Sequence, residues 1–456
     1  MRETMSDRSR LYFLSDLEQS ANQVLSSAAQ SVIPCVNRSL ISKASGMTVE
    51  WRYPFYKEFF KRDDLFLDLG AAQSGNRLFA RFRNLLARPF RRLTEASYIE
   101  WRYYSILSKQ FHGIVGAALF NPEGRLLDVA ESGLLLIVAG VVDGVEAAQR
   151  GPASVSDICW MKLFPTKTLQ FSEADPGFVR AEHDGVFLEI MQKDVGAGYV
   201  KLSGNDAPAV SLELSSVPGT SMPPVLGEDL RLLPGSHWIV HNTAPMATVK
   251  GTLRVPSRVL SRMPPDGGRG AHPNYVSSVL KAEYVHNDFA LAFEGAGYYE
   301  HSFGICPMPQ FGWDFFFAPD PVRGSSLVMQ TYRRSRELRY LEAFWREGDE
   351  QRYQRFEVDD LEIEWCESFV HPNIGSRVPT HRRVRAKKNG LVLEAENRVL
   401  YQIPFLRPEA FFVRHFFISE EVGLTSWRLM NESGQILFEA RDIPSGGETA
   451  RLRFRA

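Results

Sequence analysis

Leu361-Glu362-Ile363-Glu364-Trp365 and Arg451-Leu452-Arg453-Phe454-Arg455 alternate apolar and charged residues one for one. Neighbouring side chains on an extended chain point to opposite faces, so a period of two marks a strand buried on one side only. Outward from these runs, turn-forming clusters recur at Asn121-Pro122-Glu123-Gly124, Asp184-Gly185, Lys388-Asn389-Gly390 and Glu432-Ser433-Gly434. Short strands separated by such turns predict a mainly β protein built of barrels or sandwiches. Only Leu338–Glu347, reading LRYLEAFWRE, interrupts the pattern as a short helix or linker.

The bulk properties fit that reading. A chain of 456 residues holds two or three domains at roughly 100–200 residues each. Hydrophobic residues make up 44% and charged residues 23%, enough apolar side chain for substantial cores. The formal net charge of −1 offers no overall attraction to nucleic acid. There are 31 Phe, which without a polar handle must fill cores or line apolar cavities. The four cysteines, at 35, 159, 306 and 366, form neither a C-x-x-C pair nor a Cys/His cluster, so no metal site is expected. Met1–Asp16 lacks the apolar segment of a secretory signal, and Gly133–Val142 is half the length of a membrane-spanning helix. Both point to a cytoplasmic protein.

Residues 1–95 form a distinct extension. Leu14–Ile33 is compatible with a helix ended by Pro34, and Trp51–Phe60 is densely aromatic. Residues 77–92 interleave arginines with Phe79, Phe82, Leu85, Leu86 and Phe90. They read as an amphipathic segment packed on the body, or in the sharper reading as a peripheral contact with anionic lipid.

Two passages carry the residues of chemistry. One is Glu100-Trp101-Arg102-Tyr103-Tyr104; the other is Gly297-Tyr298-Tyr299-Glu300-His301-Ser302-Phe303-Gly304, continuing to Gly312-Trp313-Asp314-Phe315. On a strand, Tyr298, Glu300 and Ser302 share one face and Tyr299, His301 and Phe303 the other. His237 and His241 share a face but stand about 13 Å apart, too far to chelate one metal. The chain has no P-loop, no dinucleotide-binding glycine fingerprint and no G-x-S-x-G elbow, so a cofactor-free activity is expected.

Glu100–Tyr104 resembles the E-W-W-Y-F-like strand of the bacterial hydroxyneurosporene synthase (carotenoid hydratase) and AttH-like group, with Arg102 in place of the second Trp. Glu300–Gly304 and Gly312–Phe315 resemble that group's D-H-x-W-G and G-W-D-W segments, with Glu for Asp and Phe for Trp. Fungal lipocalin-like Diels–Alderases are more distant relatives of the group. The resemblance implies two tandem lipocalin-like β-domains, set here at 96–335 and 336–456 after the partly helical extension 1–95. It also implies an apolar small-molecule ligand and, in the hydratases, acid-catalysed addition of water to an isoprenoid double bond. Burial keeps a carboxylic acid neutral and able to protonate an alkene, and aromatic faces hold the resulting cation. Glu300, His301 and Asp314 are the catalytic candidates. Trp101, Tyr104, Tyr298, Tyr299, Phe303, Trp313 and Phe315 are the candidate walls of the pocket. A hydratase or cyclase of terpenoid or polyene substrates is the leading expectation. A pericyclase acting by orientation alone and a non-enzymatic lipid carrier are the alternatives.

Overall fold

The structure, a computed structural model, describes residues 50–60, 95, 97–124, 132–151, 154–194, 196–228, 237–261, 286–305, 312–332, 335–370, 377–407 and 413–454. The expected helix at Leu14–Ile33 and the basic segment 77–92 lie outside them. The aromatic run Trp51–Phe60 ends in a helix, α1 (Tyr53–Phe60).

The rest is mainly β, as the alternation predicts, in two curled antiparallel sheets that form a barrel and a half-barrel. The first sheet contains β1 (Tyr98–Ser108), β2 (Phe111–Phe120), β3 (Gly133–Val142), β4 (Ser156–Pro165), β5 (Leu169–Phe171) and β6 (Phe178–His183). It continues with β7 (Val186–Gln192), β8 (Ala197–Gly204), β9 (Ala209–Ser216), β10 (Val225–Glu228), β11 (His237–Val255) and β12 (Phe289–Ile305). The spatial order is β4-β3-β2-β1-β12-β11-β9-β8-β7-β6-β5, so the first and last strands of the set lie side by side. The second sheet holds β13 (Trp313–Asp320), β14 (Ser325–Tyr332), β15 (Arg339–Glu347), β16 (Glu350–Glu357), β17 (Leu361–Val370), β18 (Arg377–Lys388), β19 (Leu391–Arg407), β20 (Val413–Asn431) and β21 (Ile436–Phe454).

Two expectations differ from what is found. Leu338–Glu347 is no helix or linker: Arg339–Glu347 is strand β15, paired on both sides and buried at six consecutive positions. A run of five apolar or aromatic residues around the buried Glu342 fits a strand sandwiched between two cores as well as it fits a helix, and length alone misleads. The hydrogen bonding changes from one sheet to the other between Ile305 and Trp313, not near residue 335. Trp313–Phe317 pairs with Gly446–Ala450, which commits it to the second sheet.

Three cores result. One lies on the inner face of the first barrel and includes Tyr104, Ile106, Leu119, Tyr299 and Phe303. One lies between the two sheets and includes Tyr103, Trp238, Tyr298, Phe315 and Phe317. The third, with Phe316, Leu341, Phe356 and Trp427, lines the second sheet's other face. The sheets dock through Tyr298 stacked on Phe317 at 4.3 Å between ring centroids, and through Trp238 donating to the Tyr332 hydroxyl at 3.0 Å. Gly446 makes room for this contact, because a Cβ there would stand 2.3 Å from the Phe317 ring.

Candidate functional site

Register places the site residues. β1 runs antiparallel to β12 with Glu100 opposite Phe303, Arg102 opposite His301 and Tyr104 opposite Tyr299. Paired residues share a face, so Glu100, Arg102, Tyr104, Tyr299, His301 and Phe303 all project into the first barrel. On β11, His237 pairs with Ile305 and His241 with His301. The flanking positions of β2, Val115, Ala117 and Leu119, are apolar and buried. A polar row therefore crosses an aliphatic wall.

The centre of the row is a carboxylate–imidazole pair. His301 Nε2 lies 2.8 Å from Glu100 Oε1, and both side chains are fully buried. Glu100 also accepts the backbone N–H groups of Arg52 at 2.8 Å and Tyr53 at 3.0 Å, and the Tyr98 hydroxyl at 2.9 Å. Burial alone would raise its carboxyl, but the hydrogen bond from His301, the Arg102 charge and the Arg52 amide together hold it below the usual range. Burial, helped by the Arg102 charge, pushes His301 down to about 3 against the pull of Glu100. The imidazole is thus neutral near pH 7. With Glu100 ionised, Nε2 carries the hydrogen and donates it, which leaves Nδ1 as a bare acceptor. That Nδ1 is buried and meets no hydrogen-bond partner.

The surroundings come partly from the N-terminal extension. Glu100 anchors Arg52 and Tyr53 at the start of α1, and Tyr56 on α1 shares a 2.6 Å hydrogen bond with His237 Nε2. Trp51, Arg52, Tyr53 and Tyr56 are buried in consequence. The Arg102 guanidinium lies over the Trp51 ring at 4.2 Å and that of Arg52 over Phe303 at 4.9 Å. Tyr104 and Tyr299 stack with centroids 4.6 Å apart; the Arg102 charge reaches both, yet neither hydroxyl meets a partner in hydrogen-bonding geometry. Buried polar atoms are almost always paired. Here several unpaired ones converge.

The candidates named from the sequence divide among three places. His301, Tyr104, Tyr299 and Phe303 face the barrel. Tyr298, Trp313 and Phe315 lie between the sheets, with Trp101 half-buried at the edge of the same core. Glu300 is there too, accepting from Tyr298 at 2.9 Å, from Gln330 at 2.7 Å and from Ser302. Asp314 lies on the far face of the second sheet, bound to Arg451 at 2.7 Å and to Thr449 at 3.0 Å. The structure therefore does not bring Glu300, His301 and Asp314 together. Burial raises Glu300, as expected of an acid kept neutral. Its surroundings are filled, however, because Tyr298, which donates to it, packs against the Tyr103, Phe315 and Phe317 rings. A nearby cavity lined by Tyr103, His112, Phe317 and Glu420 has about 10 Å³ of space, room for one water and not for an oily guest.

Sequence reasoning missed Trp51, Arg52, Glu100 and Arg102 as site residues. Glu100 and Arg102 stood in the quoted strand two positions apart, and that spacing alone places both on the Tyr104 face. Trp51 and Arg52 gave no such sign.

No protein-family model matches the chain, and no curated protein does. Among solved structures it is similar to a protein provisionally assigned as an AttH, from Nitrosomonas europaea, at 12% identity and TM-score 0.45, covering 78% of this chain and 93% of the other. It is similar to CghA in complex with Sch210972 at 10% identity and TM-score 0.44, covering 78% and 88%. Kievitone hydratase from Nectria haematococca follows at 9% identity and TM-score 0.41, again covering 78% and 88%.

Proposed function

We propose that the first barrel is the working compartment of a cofactor-free enzyme of the hydratase or cyclase class, acting on a hydrophobic small molecule. The observation that carries this reading is the Glu100–His301 pair: a neutral imidazole held by a buried carboxylate, with its second nitrogen bare and enclosed. Such a pair is a general base. The Tyr104 and Tyr299 hydroxyls, one rung further along the same face, are suited to receive developing negative charge on oxygen.

The chemistry that follows is addition across a polarised double bond. His301 Nδ1 takes the proton of a water or of a substrate hydroxyl, and that oxygen forms a bond to the β-carbon of a conjugated carbonyl. The π electrons move onto the carbonyl oxygen, beside the phenols. The imidazolium then returns its proton to the α-carbon. With water as nucleophile the product is a hydrate; with an internal hydroxyl it is a ring. Protonation of an isolated alkene needs a stronger acid than imidazolium, and the Glu300 carboxyl points out of the barrel, so the polarised substrate is preferred. A prenyl or polyene tail suits the aliphatic wall.

The test is incubation with prenylated enones in deuterated water, followed by mass spectrometry. Turnover should add one solvent deuteron on carbon and fall by at least about 100-fold in His301→Gln, with Glu300→Gln unaffected. Undiminished turnover in His301→Gln overturns the reading. A product without carbon-bound deuterium indicates a pericyclic reaction, and an unchanged ligand indicates a carrier.

A further inference from the structure

Arg52 enters the barrel from a segment whose sequence bears no signature, yet it is fully buried there. Its Nη1 is spoken for, donating to Glu50 Oε2 at 3.0 Å near the rim. Its Nε and Nη2 are buried and meet no acceptor, and neither does Nε1 of the adjacent Trp51. All three atoms can only donate. Leaving a buried donor unmet costs about 1–3 kcal/mol, so two on one guanidinium and a third on the neighbouring residue are an expensive feature for mere packing. The Glu100 carboxylate, whose charge reaches Arg52, is already occupied by two backbone amides, Tyr98 and His301. Among the described residues no further acceptor meets these donors, which leaves the need for acceptor oxygens brought by a ligand.

The geometry also selects the kind of acceptor. Nε–H and the near Nη2–H of a guanidinium point the same way and form a planar fork, which a carboxylate meets with both oxygens at once. We propose that the molecule held in the first barrel carries a carboxylate at its polar end, gripped by the Nε/Nη2 edge of Arg52 with Trp51 Nε1 as third donor. The ligand class is then an amphiphilic acid: an apolar tail along the aliphatic wall and an anionic head beside α1. The inference rests on the barrel being the ligand compartment, but not on the chemistry assigned to His301.

The experiment uses the full chain and two fluorescent probes of equal length, cis-parinaric acid and its methyl ester, at about pH 8, where the acid is ionised. The acid should bind at least about tenfold more tightly than the ester, as a charge-assisted bidentate contact demands. Arg52→Gln should erase that preference while ester affinity stays the same. Arg52→Lys, which keeps the charge but loses the fork, should retain only part of it. Equal affinity for acid and ester in the unaltered protein, or binding of neither probe, overturns the proposal even if a variant fails to fold. His301→Gln separates the two readings: it should keep the full preference for acid while losing turnover. If turnover survives and the preference persists, the catalytic role fails and the anion site stands; turnover without the preference is the reverse case.

Discussion

At the scale of the residue, unpaired hydroxyls are the plainest sign of where the molecule has given up stability. Tyr104 and Tyr299 are buried, stacked on each other and within reach of the Arg102 charge, yet neither oxygen meets a partner in good hydrogen-bonding geometry. A hydroxyl retained for structure stabilises through its hydrogen bonds, and removing it should cost stability. One retained for a ligand should behave the other way. Tyr299→Phe is therefore expected to stabilise the chain by about 1 kcal/mol, the desolvation cost of an unmet hydroxyl, while weakening turnover. Urea unfolding and a steady-state assay on the same preparation check both halves. A variant that is less stable and fully active would return Tyr299 to the core.

At the scale of the element, α1 and β1 depend on each other. Glu100 on β1 receives the amides of Arg52 and Tyr53, and α1 returns Tyr56 to His237 on β11. An eight-residue helix is too short to hold itself in water, so its order comes from this docking. Tyr56→Phe removes one hydrogen bond and should loosen the docking by about 1 kcal/mol. Hydrogen exchange at the Tyr56 amide, bonded to the Arg52 carbonyl at 2.9 Å, should quicken severalfold while amides of β12 keep their protection. Unchanged exchange at Tyr56 would mean that α1 is held elsewhere. The strand elements were legible in advance from alternation, as at Leu361–Trp365, and β15 was not. Tyr340 and Phe344 face the core between the sheets, whereas Leu341, Ala343 and Trp345 face the second sheet's own core. A strand apolar on both faces loses the period that would have identified it.

At the scale of the whole molecule, the docking of the sheets is tied to protons. Glu420 on β20 stands directly across from Glu448 on β21, and Tyr103 of the first sheet donates to Glu420 at 2.8 Å. Trp313 donates to Glu448. Burial and the charge of Glu448 raise Glu420 well above the carboxylate range; burial raises Glu448 to about 7. The two carboxyls share a proton that neither would hold in the unfolded chain at neutral pH. A folded-state value above the unfolded one means that the native state binds the extra proton. The stability so gained is full below the unfolded value near 4.5 and is lost as pH rises through about 7. Thermal unfolding should accordingly show the unaltered protein losing on the order of 1–3 kcal/mol between about pH 5 and pH 8 relative to Glu448→Gln, which carries its hydrogen permanently. Parallel curves for the two proteins would show that the pair bears no shared proton.

The sequence alone determined that the chain is a mainly β protein and that Tyr299, His301 and Phe303 share one face while Tyr298, Glu300 and Ser302 share the other. Both follow from the geometry of an extended backbone, which is local and needs no partner. Which face looks into the barrel and which is sealed against the second sheet was decided only by tertiary structure. So were the pairing of Glu100 with His301 across 201 positions and the arrival of Arg52 beside them. Such contacts depend on register and on how two curled sheets and a short helix close on one another, and no pattern within a single strand carries that information.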